Sequence, residues 1–237
     1  MDFKAPVEAY TGVVREVTIG KGKKSLKIGV ENILPFHFFD QGSNPNPAKF
    51  ALEVLDMQPP DWPEHLIEPF QDVISNPVKW AKKCQSFAAD AVSLFLASTD
   101  PTVKDAPADK AAVLAKEVAE AIDVPLIVYG SGDEKKDVEV LSKVAEVCDG
   151  MNLLIGPVLK ENYEAVGKAI LDHGHTAIAQ TPLDINLLKE LNVKLSKFFP
   201  PERIVIDSLA PALGYGMEYS FSLMERVKQI GIATKDS

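Results

Sequence analysis

Two periods of apolar and polar residues alternate along most of this chain. From Phe50 onward, short apolar runs recur: Phe50-Ala-Leu-Glu-Val-Leu55, Ala91-Val-Ser-Leu-Phe-Leu96, Leu126-Ile-Val-Tyr129, Asn152-Leu-Leu-Ile155, Thr176-Ala-Ile-Ala179 and Arg203-Ile-Val-Ile206. Near-continuous apolar character over so few residues suits a strand covered on both faces, as in a parallel sheet. Between the runs, apolar residues return at three-and-four spacing with charges opposite, which predicts amphipathic helices. The stripes are Trp80, Cys84, Phe87 and Ala88; Leu114, Val118, Ala121 and Ile122; Leu141, Val144, Ala145 and Cys148; Tyr163, Val166 and Ile170; Leu188, Leu191, Leu195 and Phe198; and Leu223, Val227 and Ile230.

Punctuation agrees with this pattern. Asn76-Pro77 predicts a helix cap with proline in the first turn. Gly150 and Gly174 follow helices where a left-handed residue is wanted, and Pro200-Pro201 ends another. The longest connection, Asp56 to Ser75, carries four prolines with Trp62, His65 and Phe70. It predicts either a functional lid or contact surface, or a stiff loop packed on its own body.

Ahead of this array, Thr11–Ile19 and Ser25–Val30 flank Gly20-Lys-Gly-Lys-Lys24, a hairpin signal. The three lysines there read as a solvated turn. Residues 36–49 are irregular, broken by Pro45 and Pro47, with His37 packed between aromatics. The expected organisation is a lead-in at residues 1–49 and a barrel domain at 50–237. Six βα units in series, roughly one per 25 to 40 residues, point to a TIM-type (β/α)8 barrel. Six units fall short of eight, so the pattern predicts a barrel missing its C-terminal units.

Composition narrows the function. Net charge is −9, which repels phosphate backbones and argues against nucleic acid. No run approaches the roughly 18 to 20 apolar residues a membrane span needs, and the first residues lack a signal-peptide layout. A cytoplasmic protein is expected. Two cysteines, Cys84 and Cys148, fall on helix stripes as packed thiols; two cannot ligate an iron–sulfur cluster alone.

Candidate chemistry gathers at the carboxyl ends of the strands, where α/β proteins build sites. There stand Asp56; Ser98, Thr99 and Asp100; Gly130, Ser131, Gly132 and Asp133; Gly156; Thr181, Asp184 and Asn186; and Asp207, Ser208, Gly214, Tyr215 and Gly216. Asp184 reads equally as a helix cap, and Gly214 and Gly216 as loop formers. Gly130-Ser-Gly132 could hold a phosphate at a helix start. His173-Gly-His175 reads as structural, on the opposite rim. No lysine or histidine stands at a strand end to serve as base or nucleophile, and no His/carboxylate cluster suggests a metal. The reading is a polar, glycine-lined face without predicted catalytic or metal-ligating residues, suited to docking a cofactor.

Six ordered motifs carry a resemblance. They are Glu53-Val-Leu-Asp-Met-Gln-Pro-Pro-Asp-Trp-Pro-Glu64, Asn76-Pro-Val-Lys-Trp-Ala-Lys-Lys83, Ser98-Thr-Asp-Pro101, Gly130-Ser-Gly-Asp133, Leu183-Asp-Ile-Asn186 and Leu213-Gly-Tyr-Gly-Met-Glu-Tyr-Ser-Phe221. Together they resemble the small subunit of the corrinoid iron–sulfur protein, equivalent to the delta subunit of the acetyl-CoA decarbonylase/synthase complex. The resemblance covers Phe36 to about Ile230. It implies a barrel that pairs with a larger subunit carrying a [4Fe–4S] cluster and a corrinoid-binding domain. The corrinoid (cobalamin) would sit between that partner and the strand tips here. It would carry a methyl group from a methyl-tetrahydropterin methyltransferase to acetyl-CoA synthase, both transient partners. This sequence has no cluster cysteines and no Asp-x-His-x-x-Gly corrinoid signature, so both groups would come from the larger chain. The family's pattern implies two further βα units, which would supply the rest of that contact surface. Two alternatives stand beside this reading. One is a methyl-tetrahydropterin:corrinoid methyltransferase holding pterin with Asp56, Asp100, Asp184 and Asn186. The other is a phosphate-binding barrel enzyme using Gly130–Gly132.

Overall fold

The computed structural model describes residues 3, 7–34, 42–212 and 214–234. The expectation for His37 lies outside them. The hairpin forms, shorter than the sequence predicts: β1 (Val17–Ile19) pairs antiparallel with β2 (Leu26–Ile28) across a 3-10 turn at Gly22–Lys24. Residues before Val17 do not join the ladder, although Val14 exchanges backbone hydrogen bonds with Val30 and Glu31 at 3.0 and 2.9 Å.

Six further strands form one parallel sheet in sequence order: β3 (Ala51–Leu55), β4 (Ala91–Phe95), β5 (Leu126–Tyr129), β6 (Leu154–Val158), β7 (Thr176–Gln180) and β8 (Ile204–Asp207). Helices fill the connections: α1 (Glu64–Ile67), α2 (Pro77–Ser86), α3 (Ala108–Ala121), α4 (Glu134–Val147), α5 (Tyr163–Asp172), α6 (Ile185–Leu195) and, after β8, α7 (Met217–Thr234). A simple sequential order with βα crossovers of one hand places the helices on one face of the sheet.

Alternation along each strand divides the core. Leu126 and Val128 of β5 and Ala177 and Ala179 of β7 join the large cluster with Val118, Leu141, Val144, Val166 and Leu191 from the helices. Ile127 and Tyr129, Ile178 and Val205 face the other way. There Val17 and Ile19 of the hairpin pack against Leu154 and Ile178, so the hairpin covers part of the inner face. The lysine cluster is not simply solvated. Lys24 Nζ donates to the carbonyls of Ala119 and Glu120 in the last turn of α3, where a cation is favoured.

The sheet is concave on the hairpin side. Tyr129 on β5 donates to Asp207 on β8, three strand spacings away, about 14 Å on a flat sheet. Only a strongly curved sheet brings these side chains to 2.7 Å. Gly156 of β6 stands in register with Tyr129, and a Cβ there would come 2.6 Å from the Ile178 Cβ. Close approach of β6 and β7 therefore demands glycine.

Boundaries shift in three places. The fourth strand of the sheet runs Leu154–Val158 rather than opening at Asn152, because Asn152 is engaged with the hairpin. Helix α2 ends at Ser86, so Phe87 and Ala88 leave the predicted stripe; Ala88 takes φ 58° and Phe87 is exposed. On α7, Ile230 is exposed, while Gly231 and Ile232 are buried under the N-terminal segment, whose Gly12 N–H donates to the Ile232 carbonyl. The Asn76 cap forms, and Gly150 and Gly174 take positive φ.

Candidate functional site

Position along a strand places most of the predicted residues at one rim, and hydrogen bonding then sorts them. Asp56 follows β3 and accepts from the Ser98 N–H at 2.9 Å and from the Ser98 hydroxyl, joining the first two strand tips. Burial raises its pKa, opposed by the Ser98 bonds. Thr99 is buried and donates to the Leu96 carbonyl. Asp100 accepts from the Thr102 N–H and hydroxyl, both at 2.7 Å, which holds its carboxyl below the usual range.

The Gly130-Ser131-Gly132 turn is already occupied. The carboxylate of Asp137, fully buried on α4, accepts from the N–H groups of Ser131 and Gly132 at 2.8 and 2.9 Å and from the Ser131 hydroxyl at 3.1 Å. Backbone N–H groups of this kind attract an anion, and here the anion comes from the same chain. Burial raises the Asp137 pKa against those bonds. Asp133 caps α4 through Lys135 and Lys136.

On the other side, Thr181 is buried and its Oγ1 has no hydrogen-bond partner. Its N–H donates to the Asp207 carbonyl at 3.1 Å, linking the tips of β7 and β8. Asp184 caps α6, accepting from the N–H groups of Asn186 and Leu187, and both Asp184 and Asn186 are exposed. Gly214 and Gly216 take positive φ on either side of Tyr215, which is 73% exposed. A Cβ at Gly132 or Gly214 would meet nothing within 4 Å, so both glycines border open space. Tyr215 stacks obliquely on Tyr219 at 6.4 Å beside the exposed Met217.

Gly156 lies inside β6 rather than beyond its end. Two rim residues escaped the sequence reading: Tyr129 and Gln180, both bonded to Asp207 Oδ2. Each ends a strand on the inward alternation, a signal hidden because Tyr129 belongs to an apolar run. Asp207 and burial together push the Tyr129 hydroxyl far above its ordinary pKa, burial contributing most.

The remaining candidates lie elsewhere. His175 is buried between its neighbours, accepting from the Leu153 N–H at 3.0 Å and facing the Ala145 carbonyl at 3.0 Å. His173 meets Asp149 at 2.9 Å. Cys84 and Cys148 are fully buried, and burial pushes both thiols up to about 11. Among the described residues, no helix is long and apolar enough to cross a membrane.

Fold and rim together define a parallel α/β protein whose strand-tip face is built from loop-capping carboxylates, glycines and an exposed aromatic edge. The chain matches the family described as CO dehydrogenase/acetyl-CoA synthase delta subunit over residues 16–237, and it belongs to that family. It is 38% identical over 244 residues to acetyl-CoA decarbonylase/synthase complex subunit delta 1 of Methanosarcina thermophila, covering 98% of this chain and 55% of that one. It is 36% identical over 241 residues to subunit delta of Methanocaldococcus jannaschii, covering 98% and 59%. A similar relation holds to subunit delta of Archaeoglobus fulgidus, at 36% identity, 97% and 53%. The chain thus spans slightly more than half the length of these relatives.

Proposed function

We propose that this chain is a non-catalytic subunit of an acetyl-CoA decarbonylase/synthase-type complex, covering a corrinoid held by a larger iron–sulfur subunit. Its six strands are successive units of a (β/α)8-type barrel, with residues 1–49 as lead-in and 50–237 as barrel body. Sequential strand order and the concave sheet support the barrel.

One observation carries the docking role. The rim carboxylates are spent on the chain's own loops, while Tyr215, Met217 and the open space at Gly132 and Gly214 face outward. A large flat ring fits such a surface better than a small polar substrate does, because glycines permit close approach and aromatics supply apolar contact. Gly132, Gly214, Tyr215 and Gly216 would lie against the ring. Asp56, Thr99, Asp100, Gly130, Ser131, Thr181, Asp184, Asn186 and Asp207 would shape the rim around it. When bound, the corrinoid supplies the cobalt that carries the methyl group. The residues of this chain orient the ring and exclude water. Two cysteines leave the [4Fe–4S] cluster to the larger subunit.

Engagement of Asp56 by Ser98, of Asp100 by Thr102 and of Asp184 as the cap of α6 weighs against the alternative of a self-sufficient methyl-tetrahydropterin methyltransferase. The test is a pull-down from the native source followed by a visible absorption spectrum. Capture of a larger chain with cobalt-corrinoid absorption is expected. A stable, corrinoid-free monomer at all concentrations would overturn the proposal. Methyl transfer to free cobalamin by the isolated chain would install the methyltransferase instead.

A further inference from the structure

Asp207 is the junction of three strands and one loop. Its Oδ2 accepts from the Tyr129 hydroxyl at 2.7 Å and from Gln180 Nε2 at 2.8 Å. Its Oδ1 accepts from the Leu209 N–H at 2.8 Å. The Tyr129 ring reaches across β6 beside Gly156, its partner in register, which has no side chain. The carboxylate therefore joins β5, β7 and β8 to the first residues of the loop that follows.

That first stretch is strained. Leu209 takes φ 55°, a left-handed conformation that a non-glycine residue rarely adopts. Its N–H bond to Asp207 holds it there, with the carboxylate fixed in turn by Tyr129 and Gln180. Further along the connection to α7, Tyr215 is 73% exposed between Gly214 and Gly216. Change the anchor, and the direction in which the loop leaves β8 is no longer set.

The geometry points to Asp207 as a positioning residue, which aims the 208–216 loop so that Tyr215 meets the docking partner. This rests on the docking role proposed above. Asp207 acts through the loop rather than by contact, because three donors of its own chain already occupy its carboxylate.

The test compares Asp207→Asn, Tyr215→Ala and the double variant of the full chain, each titrated with the corrinoid-bearing iron–sulfur subunit. Hydrogen exchange is followed across 208–216 and across β5. Asparagine presents an amide nitrogen that cannot accept from both Leu209 and the rim donors. Tyr215→Ala is expected to weaken association about tenfold, Asp207→Asn by a similar factor, and the double variant by no more than about twofold beyond Tyr215→Ala. Exchange should rise across 208–216 in Asp207→Asn while β5 stays protected. Additive losses, or an Asp207→Asn chain that binds normally with its loop still protected, would overturn the assignment. Tyr215→Ala binding like the parent chain would instead overturn the docking reading, and loop exchange alone would then decide the positioning claim. Tyr129→Phe removes one anchor while keeping the ring and serves if Asp207→Asn fails to fold.

Discussion

The Asp137 carboxylate fills the space that any side chain at Gly130 would need. A Cβ on Gly130 would lie 2.5 Å from the carboxyl carbon. That carbon is held in place by N–H donors from the next two residues, so it cannot give way cheaply. Gly130→Ala should cost about 2–4 kcal/mol, and Asp137→Ala about 2–3 kcal/mol by leaving buried donors unpaired. Urea unfolding with an unchanged slope measures both. An Asp137→Ala protein within about 0.5 kcal/mol of the parent would show that the turn does not need its anion.

His175 ties stability to pH. Its ring is fully buried, and burial lowers its pKa from 6.5 to about 4, with the Ala145 hydrogen bond and Asp149 opposing and His173 and Arg203 pushing the same way. Between these values the unfolded chain binds a proton that the folded chain refuses. This contribution is therefore complete above about pH 6.5 and disappears as pH falls to about 4, a loss of about 3 kcal/mol. The raised pKa of Asp137 acts with the opposite sign, so the comparison must be with a variant and not with an absolute curve. His175→Gln should be less stable at pH 7 yet lose less between pH 7 and 4. Parallel stability curves for the two proteins would refute the assignment.

Much of the fold is legible because doubly covered strands and amphipathic helices write different periods into the sequence. Leu141, Val144, Ala145 and Cys148 recur at helical spacing, and all four are buried. Strand β6 is less legible. Asn152-Leu-Leu-Ile155 looks like its opening, yet Asn152 serves a hairpin more than 130 residues away in sequence, as its hydrogen bonds to the carbonyls of Thr18 and Gly20 make plain. The rim is legible by position, since residues after parallel strands converge. Its pairing is not, because each partner is remote or disguised. Asp137 reads as one more charge on the polar side of a helix, and Tyr129 as the end of an apolar run.

Asn152 joins the hairpin to the sheet. Its Nδ2 donates to the carbonyls of Thr18 and Gly20 at 2.8 and 3.1 Å, and its Oδ1 accepts from the Thr176 hydroxyl at 3.0 Å. Asn152→Ala should cost about 2–3 kcal/mol and speed hydrogen exchange at Val17–Ile19. The residue also sits at φ 53°, so Asn152→Gly should recover up to about 1 kcal/mol of that loss. Equal stability of the two variants would mean that the backbone there is not strained.

The long connection after β3 is packed rather than open. Trp62 meets Trp80 edge to face at 5.7 Å, Phe70 lies 5.6 Å from the same ring, and Trp80 is fully buried. These rings belong to the helix-side core, away from the Tyr215 edge. Trp62→Ala should therefore lower stability by about 1–3 kcal/mol while leaving association with the proposed larger subunit unchanged. Trp80→Ala should cost about 3–5 kcal/mol. Trp80→Phe should cost much less, because Trp80 Nε1 is buried without a partner and its removal relieves that penalty. The chain has only two tryptophans, both in this cluster, so intrinsic fluorescence reports its unfolding directly. A Trp62→Ala protein of unchanged stability that no longer bound its partner would make this connection a contact surface instead.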